Sequence, residues 1–352
     1  MAEPVIISQE GQVGRITLNR PDALHALNLE MCERVLGALE AWRGNGSVLV
    51  VLVDHAEGSR GFCAGGDIRM LAESGAGDAR EARAFFRAEY TMNAAIKAFP
   101  KPYVAILDGV TMGGGVGLSV HGSHRVATER TLFAMPETGI GLFPDVGGGW
   151  FLPRLQGQLG TWLALTGARL KGADVQAARV ATHFIPSELV GNLKRQFIEA
   201  DYAAGASEMV GEILTQAGHA PPIASFAAHM DTITACFGHD RAEAIEAALA
   251  ASDDPWAQDQ LSILQTKSPE TVKTALRQLR EGARCETFAE NMAMEFRIGW
   301  RKVQSADFSE GVRAVIVDKD NQPAWQHGSI ADVPDSMIAA YFVPLGADEL
   351  VL

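Results

Sequence analysis

The 352-residue sequence predicts an α/β core with parallel strand pairing, followed by a mainly helical C-terminal region. Three observations carry this reading. The run Val48 to Asp54 is almost wholly apolar, as a strand covered on both faces requires. Strand, crossover helix and strand recur through the first half, the order that parallel pairing demands. From about Ala203 the rhythm turns helical, which divides the chain into a core, 1–202, and a C-terminal region, 203–352.

Val5 to Ser8 and Gly14 to Leu18 flank a Glu10-Gly11 turn and predict a hairpin, ended by Asn19-Arg20-Pro21. Asn28 is placed to cap the next helix, with Glu30 in its first turn and Leu27, Met31, Val35 and Leu39 as its apolar stripe. After the Val48 strand comes GSRGFCAGGDIRM, then a helical pattern from about Ala79 to Phe99 that Pro100 and Pro102 break. Tyr103 to Leu107 is the next strand. Val116 to Val120 begins a short helix, and Leu132 to Ala134 forms another strand before Pro136. Trp162 to Thr166 and Ala173 to Val180 are helix-like. Farther on, the long candidates are Arg241 to Leu249, Trp256 to Thr266, Glu270 to Glu281 and Thr287 to Val303, with Ser268-Pro269-Glu270 as a helix start. The tail holds a short apolar run, Val315 to Val317. No GxGxxG opens a first βα unit, so a dinucleotide fold is not expected.

Hydrophobic residues make up 47% and charged residues 21%, the balance of a globular chain. A net charge of −13 argues against a nucleic-acid partner, since phosphate binding needs a concentrated basic face. An anionic ligand held by local arginines, lysines and helix amides stays compatible with it. Cys32, Cys63, Cys236 and Cys285 are widely spread without a CxxC and read as reduced thiols, which points to the cytoplasm. The stretch MAEPVIISQEGQ has no basic region or long apolar run, so no export signal is expected, and no run is long enough to span a membrane.

The stretch that carries chemistry is Gly113 to Pro153. Gly113, Gly114 and Gly115 precede a helix-compatible run, and two acids, Glu137 and Asp145, sit in loops framed by Pro136, Gly139, Gly141, Pro144 and Gly147. Amides that open a helix are donors without a helical partner, suited to negative charge. A pair of such donors with an acid nearby is what a reaction through an oxyanion requires. Glycine-rich packing turns would show the same spacing, and an acid after Pro136 or before Gly147 could equally cap its loop.

These motifs resemble the crotonase (enoyl-CoA hydratase/isomerase) superfamily. Phe62-Cys63-Ala64-Gly65-Gly66-Asp67-Ile68 and Met112-Gly113-Gly114-Gly115 carry that likeness. The run TMGGGVGLSVHGSHRVATERTLFAMPETGIGLFPDVGGGWFLPRLQG, with SPETVKTALRQL and DFSEGVRAVIVDKDNQPAW, is similar to the subgroup of 3-hydroxyisobutyryl-CoA hydrolases. The resemblance implies a crotonase-like spiral of ββα units with the helical C-terminal region packed on it. It also implies an acyl-CoA substrate, of which coenzyme A is a part, and no separate cofactor.

By resemblance, the oxyanion-hole amides fall on Gly66 and Gly114, and the catalytic carboxylates on Glu137 and Asp145. Superfamily hydratases carry a further glutamate three positions after the middle glycine; that position here is Gly117, which puts water-addition chemistry in doubt. Glu89 matches a substrate-side carboxylate of the hydrolase subgroup, with a salt bridge as the alternative. The coenzyme A moiety would run near Asp22, Ala23, Leu24 and His25 and along Ala64, Asp67 and Ile68, with Arg20, Arg60 and Arg69 as candidate phosphate neighbours. Asp67 is expected to brace a helix start through backbone N–H groups. Cys63 is expected to be a packed side chain, His121 and His124 structural, and no metal is expected. The activity implied is hydrolysis of a short 3-hydroxyacyl-CoA, foremost 3-hydroxyisobutyryl-CoA in valine breakdown, with Glu137 as base or nucleophile. The alternatives are an enoyl-CoA hydratase/isomerase and a non-catalytic acyl-CoA-binding protein. A homo-oligomer is compatible with the family.

Overall fold

Short-range sequence signals become the first elements. In the computed structural model, which describes residues 3–352, the opening hairpin joins β1 (Val5–Glu10) to β2 (Val13–Leu18). Met1 and Ala2, which begin the stretch read above for an export signal, lie outside the described residues. The Asn28 side chain accepts from the Met31 N–H at 2.9 Å and starts α1 (Leu29–Arg43), which buries Met31, Cys32, Val35, Leu39 and Trp42. Then follow β3 (Val50–His55), β4 (Gly61–Cys63), α2 (Ile68–Gly75), α3 (Arg80–Lys97), β5 (Tyr103–Leu107), β6 (Val110–Met112) and α4 (Gly114–Val120). After them come β7 (His124–Ala127), β8 (Leu132–Ala134), the single turn α5 (Gly148–Phe151), α6 (Leu159–Thr166), β9 (Leu170–Lys171), α7 (Ala173–Ala177), β10 (His183–Phe184) and α8 (Val190–Glu199).

The strands form two sheets, ordered β1-β2-β3-β5-β7-β10 and β4-β6-β8-β9. Beyond the antiparallel hairpin, β2, β3, β5, β7 and β10 pair in parallel, which is the pairing expected from the strand–helix–strand order. The short strands β4 and β6, three residues each, were not visible in the sequence pattern. Three residues are too few to show a period.

The chain forms two compact units, each assembled from separate segments. The first comprises Met1–Gly66, Thr91–Phe133 and Leu170–Ser225. Its core joins Val13, Val50, Leu52, Val104, Ile106 and Val126 of the large sheet to Leu193 and Phe197 of α8 and Val210 and Leu214 of the helix Ala206–Ala217. The second comprises Asp67–Tyr90, Ala134–Arg169 and Phe226–Leu352 and is mainly helical. There Ser268 caps the helix Pro269–Gly282, and Thr287 with Glu290 forms a reciprocal capping box on the helix Phe288–Lys302. Lys302 and Glu270, both fully buried, pair at 2.6 Å and join these two helices. The Val315 run belongs to a π-helical turn, Arg313–Val317, that continues the helix Ala306–Val312. Among the described residues no helix is long and apolar enough to cross a membrane.

Candidate active site

In the first unit, two glycine-bearing turns lie side by side. Gly65 (φ 122°) and Gly113 (φ 45°) adopt backbone conformations that residues with a Cβ rarely reach. The place where a Cβ on Gly65 would sit is only 3.9 Å from the Gly114 nitrogen. Gly114 is the first residue of α4, so its N–H is one of the amides the helix itself leaves without a partner. Gly66 forms a parallel bridge with Leu27, whose N–H donates to the Gly65 carbonyl at 2.8 Å. The Ala64 N–H donates to the Leu24 carbonyl at 3.0 Å, and the Cys63 thiol to the His25 carbonyl at 3.2 Å. Thus Leu24 and His25 are strapped along the Cys63–Gly66 turn. His25 is fully buried, accepts the Arg20 N–H on Nδ1 at 3.0 Å, and has its ring pushed down to about 4 by burial and by His55. It is neutral at pH 7. The Arg20 guanidinium donates to the Ala26 carbonyl at 2.6 Å, while Arg60 and Arg69 are exposed.

The carboxylates gather in the second unit. Glu137 opens the 3-10 turn Glu137–Ile140 directly after Pro136, and the Leu142 N–H donates back to its carbonyl at 3.0 Å. Asp145 stands on a turn whose next two residues, Val146 (φ 51°) and Gly147 (φ 87°), are both left-handed. Glu89 and Tyr90 come from α3, and the Tyr90 hydroxyl donates to Asp145 Oδ2 at 2.8 Å. Asp67 caps α2, accepting from the Met70 N–H at 3.4 Å, and Ile68 is the first residue of that helix.

Glu89, Glu137 and Asp145 are all buried, at 2%, 4% and 5% exposure. Burial, followed by the charges of Asp145, Glu137 and Glu295, holds Glu89 well above the usual carboxylate range. Burial and then Asp145 do the same to Glu137, against a weaker pull from its own backbone N–H. Burial pushes Asp145 up to about 7, with the Tyr90 hydroxyl working against it. No cation figures among these influences. The salt-bridge alternative for Glu89 therefore gives way to a buried acid among acids. Among the described residues, Glu89 Oε1 and Glu137 Oε2 are buried without a hydrogen-bond partner, so each is an acceptor available to a ligand. Burial and mutual repulsion therefore disfavour charging all three acids at once. No three His, Cys, Asp or Glu side chains among the described residues converge to hold a metal ion.

Sequence reasoning missed Tyr90, Gln278, Asn291 and Glu295. Glu295 accepts from the Gly147 and Gly149 N–H groups at 2.7 and 2.8 Å, from Asn291 at 2.9 Å and from Gln278 at 3.0 Å. The one available signal was an acid on the apolar face of a helix, among Met292, Phe296 and Ile298.

The sequence pattern described as enoyl-CoA hydratase/isomerase matches residues 13–342. The chain is similar to the protein named 3-hydroxyisobutyryl-CoA hydrolase, mitochondrial, of Rattus norvegicus, 45% identical over 98% of this chain and 90% of that one. Its human counterpart, with the same name, is 44% identical over 99% and 91%. Among solved structures, a carnitinyl-CoA dehydratase from Mycobacterium thermoresistibile matches with a TM-score of 0.92 and 37% identity over 99% of both chains. An enoyl-CoA hydratase from Rhodobacter sphaeroides 2.4.1 matches with a TM-score of 0.89 and 39% identity over 99% of this chain and 100% of that one. The fold is thus the crotonase-like spiral expected from the motifs, with its helical C-terminal region.

Proposed function

The chain belongs to the enoyl-CoA hydratase/isomerase family, and from that premise we propose that it is an acyl-CoA thioester hydrolase that converts 3-hydroxyisobutyryl-CoA to 3-hydroxyisobutyrate and coenzyme A. The observation that carries this reading is the pairing of two buried, cation-free acids, Glu137 and Asp145, in a chain with glycine at position 117. Hydration or dehydration, the chemistry named for the two solved structures, would by family resemblance need a second glutamate at that position. Hydrolysis needs only a base or nucleophile and a proton donor, and the names of the curated relatives agree with it.

In the proposed reaction the acyl oxygen accepts from the Gly66 and Gly114 N–H groups, which stabilise the charge that develops there. Ionised Glu137 either takes a proton from the attacking water or attacks the acyl carbon itself, giving an anhydride that water then opens. In both routes the C–S bond breaks and the thiolate of coenzyme A leaves with a proton. Asp145, titrating near neutrality, orients the water or the substrate hydroxyl and supplies that proton. Burial that raises Glu137 also makes it a stronger base once ionised. Leu24, His25, Ala64, Asp67 and Ile68 are proposed to follow the coenzyme A moiety, and Glu89 the acyl end. We further propose, from the sequence reading of the cysteines as reduced thiols and from the family resemblance, a cytoplasmic enzyme that can form a homo-oligomer. The curated relatives are named mitochondrial, so cell fractionation and sedimentation decide those two points.

The test is a panel of short 3-hydroxyacyl and enoyl thioesters, followed for thiol release and for loss of the double bond. Thiol release from 3-hydroxyisobutyryl-CoA is expected, and Glu137→Gln should lower it by on the order of 1,000-fold with the fold intact. Hydration of an enoyl thioester without thiol release would replace the reading with a hydratase; tight binding without either product would replace it with a carrier.

A further inference from the structure

The turn that carries Asp145 is bent in a way its sequence does not favour alone. Val146 is β-branched yet has a φ of 51°, and Gly147 follows at 87°. Such a conformation persists only where the surroundings over-determine it. Here the surroundings are two helices from the C-terminal part of the chain. Glu295 Oε2 accepts from the Gly147 N–H at 2.7 Å and Oε1 from the Gly149 N–H at 2.8 Å. Gln278 donates to the Pro144 carbonyl at 2.7 Å and to Glu295 at 3.0 Å, and Asn291 donates to Glu295 at 2.9 Å. Both ends of the turn, Pro144 and Gly147–Gly149, are therefore held by one buried network, with Asp145 between them.

The approach leaves no slack. A Cβ on Gly149 would lie 2.6 Å from Asn291 Oδ1, and one on Gly282 would lie 2.1 Å from the Gly149 carbonyl oxygen. Glu295 is fully buried and has no part in the chemistry proposed above. Burial pushes it up to about 7, against the N–H groups of Gly147, Asn291 and Gly149 that favour its charged form. Two backbone donors facing one side chain call for two acceptor oxygens. Glutamine would offer one acceptor and turn a donor toward an N–H.

We propose that Glu295, together with Gln278, is a positioning residue that sets the place of Asp145 by clasping the strained turn beneath it; this rests on the hydrolase reading above. A misplacement of about 1 Å at a reacting group costs on the order of 100-fold in rate, so the clasp should show in turnover.

The test is a double-mutant cycle on thiol release from 3-hydroxyisobutyryl-CoA, using the full chain, Glu295→Gln, Asp145→Asn and the double variant. No release by the unaltered protein overturns the hydrolase reading and this inference with it. With an active protein, Glu295→Gln should lower kcat by on the order of 100-fold and change KM less than about threefold. In the Asp145→Asn background the same change should cost less than about threefold. Equal losses in both backgrounds would mean a merely structural role and overturn the inference while leaving the hydrolase reading in place. If Glu295→Gln fails to fold, Gln278→Leu, which releases the Pro144 carbonyl and removes one donor to Glu295 but leaves its bonds to Gly147 and Gly149, takes its place, with about a tenfold loss expected only where Asp145 is present. Amide hydrogen exchange over residues 145–151 should quicken in either variant, and unchanged protection there would also overturn the clasp.

Discussion

Asp54, in the first unit, and Asp145, in the second, are both almost wholly buried carboxyls, yet they are treated in opposite ways. Burial is the largest influence on Asp54 and would raise it. It is outweighed by hydrogen bonds and charge from Arg15 at 2.7 Å and Lys194 at 2.9 Å, so Asp54 stays below the usual carboxylate range; Thr17 adds a third donor at 2.7 Å. Asp145 has the Tyr90 hydroxyl and no cation among its influences, and it rises to about 7. Burial alone therefore does not decide what an acid does. Asp54, which ties β2 to α8, is neutralised by Arg15 and Lys194, whereas Asp145, left without a cation, is placed to exchange a proton.

The sharpest way to break this contrast is Asp145→Asn. Thiol release should fall by on the order of 100-fold or more, measured at saturating thioester. The same change should stabilise the protein at alkaline pH. Since the folded carboxyl titrates near 7 and the unfolded one near 4, the folded state binds more protons between those values, and stability declines as pH rises through that window. Removing the acid should abolish that decline. Thermal unfolding curves should then nearly coincide at pH 4 and differ by on the order of 4 kcal/mol at pH 8. A variant less stable than the parent at every pH would contradict the assignment.

Asp54→Asn should do the reverse. It leaves Arg15 and Lys194 facing a neutral group and should cost on the order of 3 kcal/mol at pH 7, read by urea unfolding. Because Asp54 is depressed in the folded state, its contribution is present above about pH 4 and is lost as pH falls through the folded value. Turnover of the folded fraction should change less than about twofold. The smallest effect belongs to Tyr90→Phe. Its hydroxyl favours the charged form of Asp145, so its loss should raise that acid further. The alkaline limb of the pH–rate profile, which Asp145 sets as the proton donor, should move to higher pH, with the rate at pH 7 changed by less than about threefold.

How much of this could be read in the sequence follows the range of the interactions. The hairpin, the Asn28 cap, β5 and the long C-terminal helices announce themselves within a dozen residues through period and capping chemistry. Asp67 was legible as a helix brace for the same reason. Glu137 and Asp145 drew attention through their Pro and Gly frames, but whether an acid meets a cation or another acid is fixed by partners far along the chain. Glu89 illustrates this: its helical position is compatible with a salt bridge, and only burial beside three other carboxyls distinguishes it. Tyr90 reaches Asp145 across 55 positions and Glu295 reaches Gly147 across 148, distances at which no local pattern speaks.

That last separation has a consequence for synthesis. A ribosome adds about 5–20 residues per second, so the bent turn at Val146 leaves it roughly 7–30 s before the glutamate that fastens it has been made. Throughout that interval the nascent protein bears its acid on an unlatched loop. A message broken off before the helix Phe288–Lys302 would release a product that has Glu137 and Asp145 in full and never acquires the frame that holds the second of them in place.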